Sequence, residues 1–404
     1  MSLEYQYITT GEERDLAITA LSGVDRIGVD IEGDSLYHYN DRATLIQISG
    51  GNKNYIFDPI LLDSVSGLGH LFENRSILKI FHGSEYDITS LKRDFGFKIG
   101  PVFDTALAAR AIGLARWSLK ELVSHFFGII LAKTHQKSNW SLRPLSQGQL
   151  DYACEDTVYL DSLYLLLTEA VKKKGRVDQI AEECRLLEGL TWSRKPFESS
   201  DYLRLTGTKA LSPEAQKILR ELFVARENLS REENLPPFKV AHNSDLVILA
   251  IRAPQNEEAF TRLFSKGRIM REVPRWLGAI QRGGESAEPL PQKEKKGNPP
   301  MTINQQKLFA RLRVWRDQQA KVDEVEAAMV LTTSLLKAIS KKRPATLSEL
   351  ASIPMLRQWH VSHYGEKLIN EIARGSGSAQ NPRYNQTPIQ TQNGLTESEN
   401  QGGH

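Results

Sequence analysis

The chain has 404 residues, of which 25% are charged and 40% apolar, with a formal net charge of +3. That length exceeds one ordinary domain and points to two or three, while no run of ~18 apolar residues argues for a membrane span. The acidic start, MSLEYQYITTGEERD, lacks the apolar stretch of a secretory signal.

Charge is shared unevenly. Residues 1–175 carry 18 Lys and Arg against 22 Asp and Glu, a net of −4, whereas residues 301–375 carry 12 against 7, a net of +5. An acidic first half with a more basic last part suits a metal site joined to a phosphate-binding appendage. The two cysteines, Cys154 and Cys184, lie in no CxxC pair and beside no histidine cluster, so reduced thiols and a cytoplasmic location are expected.

In chain order, RIGVDI, TLIQIS and NYIFDP read as three short strands, with Gly-Gly-Asn as the turn between the last two. A helical segment follows over 65–73. LKIFH reads as a buried strand and YDITSLKRDF as a helix stopped by Gly96. VFDT is a further strand, then come helices over 106–112 and 119–127. Residues 147–174 read as one long helix, with Leu150, Ala153, Val158, Leu160, Leu163 and Leu166 on or near one face. Hairpin-like strands followed by alternating helices and strands predict a mixed sheet with helices on its faces.

From about residue 205 the strand signals vanish, and a repeat appears at an offset of 90 residues. Leu222, Val224 and Arg226 recur as Leu312, Val314 and Arg316; Val240, Leu246 and Pro254 recur as Val330, Leu336 and Pro344. Residues 283–300 are rich in Gly, Pro and charge and read as a flexible linker. Residues 376–404 are too polar to bury a core and read as a disordered tail.

Three fragments carry candidate chemistry. Asp30 and Glu32 alternate with Val29 and Ile31, so both carboxylates fall on one strand face. Alternation usually marks a solvated face, but this strand is otherwise apolar, and two adjacent carboxylates there cost several kcal/mol unless paired or metal-bound. Asp87 follows an apolar strand and a His-Gly turn; Ser84 and Asp87 also have the S-x-x-D spacing of a capping box, a purely structural reason for the acid. Tyr152 and Asp156 are four apart on a helix and share a face, whereas Asp151 and Glu155 are expected in solvent. His82 is expected to orient its turn. Arg226, Arg316 and the tryptophans Trp276, Trp315 and Trp359 are expected to serve the interior of the helical units.

Together these fragments resemble the DEDD superfamily of 3′-5′ exonucleases, in its tyrosine subclass, and above all ribonuclease D. The most specific stretch is NWSLRPLSQGQLDYACEDTVYL, where Trp140, Arg143, Pro144 and Leu145 match the family's W-x-x-R-P-L. The repeats resemble the helicase-and-ribonuclease-D C-terminal (HRDC) domain. The resemblance implies a ribonuclease-H-like α/β exonuclease domain over 1–175, a helical connector over 176–204, and HRDC-like all-α bundles over 205–282 and 301–375.

It also implies a chemistry. Hydrolysing a phosphodiester develops charge on the attacking and leaving oxygens, which two Mg²⁺ or Mn²⁺ ions about 4 Å apart can stabilise. Such hard cations take oxygen ligands. By this resemblance Asp30, Glu32 and Asp156 hold one ion and Asp30 with Asp87 the other, while Tyr152 orients the attacking water. Lys133 and Arg143 are candidate substrate contacts. The implied activity is 3′-to-5′ exoribonuclease release of nucleoside 5′-monophosphates, with precursor tRNA 3′ ends as substrate and no organic cofactor. A DNA exonuclease, or an inactive RNA-binding module on the same folds, are the alternatives.

Overall fold

The computed structural model describes residues 4–131, 134–193, 195–290 and 299–374. Six strands, β1 (Gln6–Ile8), β2 (Arg26–Gly33), β3 (Ala43–Gly50), β4 (Lys53–Phe57), β5 (Leu78–Phe81) and β6 (Val102–Asp104), form one mixed sheet in the order β1-β4-β3-β2-β5-β6. β2, β3 and β4 are antiparallel neighbours; β1, β5 and β6 add in parallel. The turn between β3 and β4 places Gly51 and Asn52 at φ of 58° and 63°, the left-handed pair that a tight two-residue hairpin requires.

Among the described residues eight α-helices flank the sheet: α1 (Gly11–Leu21), α2 (Gly69–Glu73), α3 (Glu85–Phe95), α4 (Thr105–Ala111), α5 (Leu119–Phe127), α6 (Gln147–Val158), α7 (Leu160–Lys173) and α8 (Val177–Glu188). The period-two alternation of the strands splits them between two layers. Val29, Ile31, Ile46, Ile48 and Phe57 pack with Ala17, Leu21, Ile88 and Leu91 of α1 and α3. On the opposite face Leu45 and Ile56 meet Ala153 and Cys154 of α6, and Ile80 meets Leu160, Leu163 and Leu167 of α7. Both cysteines are buried and free.

β1 and α1 carry no signal that the sequence reading recognised. α1 is held by a capping box between Thr10 and Glu13, and β1 is only three residues long. The expected single helix over 147–174 breaks at Tyr159 (φ −95°, ψ −7°). The cause is tertiary: this junction presses on β2 at Gly28, where a Cβ would lie 3.0 Å from both Thr157 O and Leu160 Cβ. Within α7, Leu160, Leu163 and Leu167 are buried, whereas Leu166 faces solvent.

The C-terminal part is all helix. α9 (Pro213–Glu232), α10 (Pro237–Val240), α11 (Asn243–Arg252), α12 (Glu257–Thr261) and α13 (Val273–Glu285) form the first bundle. α14 (Ile303–Asp323), α15 (Ala327–Val330), α16 (Thr333–Lys342), α17 (Leu347–Ala351) and α18 (Gln358–Ala373) form the second. The first four helices of each begin 90 residues apart, as the sequence repeat requires. Arg226 Nη1 donates to Ala241 O at 3.1 Å and Arg316 Nη1 to Leu331 O at 3.5 Å, so each arginine ties its helix to the chain fifteen residues on. Trp276 and Trp359 are core residues of their bundles, and Trp315 packs partly buried beside the second.

Two expected boundaries shift. Within 176–204, α8 packs Ile180, Cys184 and Leu187 into the exonuclease-side cores, whereas Tyr202 is wholly buried in the core of the first bundle. The expected linker at 283–300 begins only after α13 ends at Glu285, and its residues 291–298 lie outside the described residues, as does the tail at 376–404. The second bundle rests on α8: Arg176 Nη2 meets Asp323 at 2.7 Å, and the Glu182 carboxylate accepts the backbone N–H of Gln358 and Trp359, both at 2.8 Å. The first bundle meets the loop after β2, where Asn234 Oδ1 accepts the backbone N–H of Tyr39 at 3.2 Å and Glu227 takes the Tyr39 hydroxyl. No helix among the described residues is long and apolar enough to cross a membrane.

Candidate active site

β2 is a central strand, so its carboxylates can be tolerated only where the sheet opens onto a cleft. Asp30 and Glu32 sit on its α6 side, and Asp156 descends from the last turn of α6. Ligand oxygens of Asp30, Glu32 and Asp156 all lie within 4.8 Å of one another. Asp87 enters from the first turn of α3 and is only 6% exposed. The four acids share a cleft of about 330 Å³ with His82, Tyr86, Ser118, Lys120, Gln136 and Tyr152.

The capping explanation for Asp87 fails. The Ser84 side chain caps nothing; its hydroxyl donates to Asp104 at 2.9 Å. Asp104 also accepts the backbone N–H of Gly83 and Ser84 and of Ala106 and Leu107. It therefore ties the His-Gly-Ser turn to the start of α4 and leaves Asp87 for the cleft. His82 holds the same turn through Nδ1 and Thr105 Oγ1, 2.9 Å apart.

Electrostatics mark the cluster as strained without a cation. Burial pushes Asp30 well above the usual carboxylate range, and the charges of Asp87, Asp156 and Glu32 push it further. Glu32 is raised by burial and then by Asp156 and Asp87. Burial lifts Asp87 to about 7 and Asp156 to about 7, moderated for Asp156 by a hydrogen bond from Tyr152. The Tyr152 hydroxyl is pushed above its ordinary value by burial and then by Asp156, Glu32 and Asp30, so it stays protonated at neutral pH. None of the four acids is ion-paired to Lys or Arg among the described residues. Four converging, unpaired carboxylates form a hard oxygen donor set that fits divalent cations.

Tyr152 is framed by Trp140, with ring centroids 6.0 Å apart, and by His135 at 6.3 Å. That frame gives Trp140 of the W-x-x-R-P-L stretch a purpose. Arg143 of the same stretch does not reach the cleft. It is clamped to the fully buried Asp58 through Nε at 2.5 Å and Nη2 at 2.8 Å, and it donates to Trp140 O and Thr44 O. Its donors are consumed internally, which corrects its expected place as a substrate contact. Lys133 lies outside the described residues.

Glu155, expected in solvent, is half-buried and lines the cleft; burial and then Asp151 raise its carboxyl. Asp151 instead accepts Tyr5 OH at 3.0 Å. Sequence reasoning also missed Tyr86, Ser118, Lys120 and Gln136. Tyr86, one residue before Asp87, was the findable one; its hydroxyl donates to Asp41 at 3.0 Å.

Comparison with known proteins agrees with this geometry. A family model described as a 3′-5′ exonuclease matches residues 5–172, and the HRDC domain model matches 215–280 and 305–372. The exosome complex component 10 homolog of Caenorhabditis elegans is 31% identical over 62% of this chain, which spans only 29% of that protein. A ribonuclease D of Gluconacetobacter diazotrophicus is 24% identical over 90% of this chain and 91% of its own. The crystal structure of Escherichia coli RNase D shares the fold, with a TM-score of 0.66 at 22% identity over 92% of this chain and 99% of that one. The chain thus carries a 3′-5′ exonuclease domain followed by two HRDC domains, and over most of its length it is similar to ribonuclease D.

Proposed function

We propose that this protein is a metal-dependent 3′-to-5′ exoribonuclease that releases nucleoside 5′-monophosphates, with precursor tRNA 3′ ends among its substrates. The observation that carries this reading is the convergence of Asp30, Glu32 and Asp156 within 4.8 Å, in one cleft with Asp87 and Tyr152. Asp30, Glu32 and Asp156 would hold one Mg²⁺ or Mn²⁺ ion, and Asp30 with Asp87 the other. Divalent ions so held supply the positive charge that stabilises the attacking and leaving oxygens.

The chain's own groups do the rest. Tyr152, kept protonated by burial and then by its acidic neighbours, orients the attacking water through its hydroxyl rather than removing its proton. Water gives up a proton to solvent as its oxygen bonds to phosphorus, the bond to the preceding nucleotide's 3′ oxygen breaks, and that oxygen takes up a proton from solvent. The bundles would grip structured RNA through phosphates, a reading supported by the charge of +5 over 301–375 against −4 over 1–175. The two buried, unpaired thiols fit a reducing cytoplasm.

Purified protein incubated with Mg²⁺ or Mn²⁺ and with 3′-extended tRNA, single-stranded RNA or single-stranded DNA tests this. Stepwise shortening of both RNAs from the 3′ end, blocked by EDTA, is expected. Shortening of DNA alone would establish the rival DNA exonuclease, and binding without shortening of any substrate would establish the inactive module.

A further inference from the structure

Beside the four acids lies a buried amide that nothing among the described residues satisfies. Gln47 of β3 is 0% exposed, and neither its Nε2 nor its Oε1 has a hydrogen-bond partner. Such a group is costly to keep, so its surroundings should say what it awaits. In the antiparallel register Gln47 lies directly opposite Asp30, which puts both side chains on the same face of the sheet. On its other flank stands Ile56 of β4, which offers no acceptor side chain. Along its own strand the same-face neighbours are Leu45 and Ser49, and Ser49 Oγ already donates to Thr157 Oγ1 at 2.6 Å. The α6 layer above contributes Ala153 and Cys154. Asp30 is thus the acceptor that the register supplies.

We propose that Gln47 is a positioning residue for Asp30: its carboxamide donates to the Asp30 carboxylate and fixes the orientation in which that ligand meets divalent metal. The inference deepens the active-site reading above and rests on it. In this structure the Gln47 amide is unpaired; the bond to Asp30 would form as that carboxylate takes up metal. The residue type follows from the site's chemistry. A lysine here would pair with Asp30 and compete with the metal, and a glutamate would add a fifth negative charge. A leucine would be cheap to bury but could not orient a carboxylate. A neutral donor orients without competing. The same layer holds Trp140, whose indole Nε1 is also buried without a partner and is a donor suited to the amide oxygen.

The test is Gln47→Met, which keeps the length and removes both polar atoms. It is compared with wild type and with Asp30→Asn, using calorimetric Mn²⁺ titration, single-turnover RNA cleavage and thermal unfolding in chelator. Mn²⁺ affinity and cleavage should each fall about 10-fold or more, as for other groups that orient a ligand from behind. The metal-free variant should melt at or above the wild-type temperature, because the variant buries no unpaired amide. Affinity and rate within twofold of wild type would overturn the proposal. So would a fall in metal-free stability with metal affinity unchanged, which is the mark of a purely structural side chain. A second measurement needs no variant. The Gln47 side-chain NH₂ resonances of the full-length protein should move downfield on Mg²⁺ titration, and no movement at saturating Mg²⁺ would refute the contact. Wild-type protein that binds no Mn²⁺, or binds it as well with Asp30→Asn, would overturn the active-site reading itself. Wild-type binding lost in Asp30→Asn but kept in Gln47→Met would overturn this inference alone.

Discussion

Arg143→Leu should cost the protein stability rather than substrate. The guanidinium is 12% exposed and holds Asp58, which is 0% exposed, through two nitrogens. Remove it, and Asp58 keeps only the Tyr7 hydroxyl and the backbone N–H of Ile60 and Leu61. Breaking a buried ion pair from one side typically costs about 3–5 kcal/mol, because a charge is left without its partner. For a unit of this size each kcal/mol lowers the melting temperature by about 2–4 °C, which gives a drop of about 6–20 °C. Adding Asp58→Asn should recover part of the loss, since no charge is then stranded. The assay is thermal unfolding by circular dichroism, paired with RNA affinity measured well below the transition. An unchanged melting temperature with tenfold weaker RNA binding would show that Arg143 serves substrate after all and that the clamp on Asp58 is incidental.

Asp30→Asn should abolish turnover, yet in EDTA at pH 8 it should melt above wild type, because one mutually repelling charge is gone; a lower melting point would contradict the raised carboxyl. Tyr152→Phe should slow single-turnover cleavage by ~10²-fold with metal affinity little changed; a wild-type rate would make the ring purely structural. Asp87 and Asp156 titrate near 7 when folded and near 4 when unfolded, so between those values the folded state binds more protons. Metal-free stability should therefore fall as pH rises from about 4 to 7, and the melting-point gain from Mg²⁺ should grow from pH 5.5 to 8; a gain independent of pH would refute it. Lys79, wholly buried, donates to the carbonyls of Asn74, Ile77 and Gly100 at 2.6–2.8 Å. Lys79→Met should cost ~3 kcal/mol or more by leaving those acceptors unpaired, and a melting temperature within 1–2 °C of wild type, the equivalent of well under ~1 kcal/mol, would show that they find other donors. Arg176→Met should raise hydrogen exchange in α8 and α18 by loosening Asp323 and Tyr364; unchanged exchange would mean that the second bundle docks without it.

The strands β2 to β6 and the helices that follow them were legible in the sequence, as were the five residues Asp30, Glu32, Asp87, Tyr152 and Asp156 that the fold gathers in one cleft. Alternation on a strand put Asp30 and Glu32 on one face, an i,i+4 spacing put Tyr152 and Asp156 on another, and Asp87 was singled out by the family resemblance of its setting. The sequence also determined the paired bundles, since a repeat at constant offset survives into α9–α12 and α14–α17 unchanged. The tertiary structure decided everything that depends on who stands opposite. Arg143 could have faced solvent, substrate or core, and only the burial of Asp58 settled it. Asp87 could have capped its own helix until Asp104, from a different strand, took Ser84. The helix over 147–174 breaks at Tyr159 because Gly28 lets its backbone press against β2. Gln47 looked like one polar residue in a strand, and its meaning came from the register that sets it beside Asp30. Local patterns fix backbone and face through short-range sterics and periodicity, whereas partners across a sheet or between domains are chosen by packing over distances that no sequence window contains.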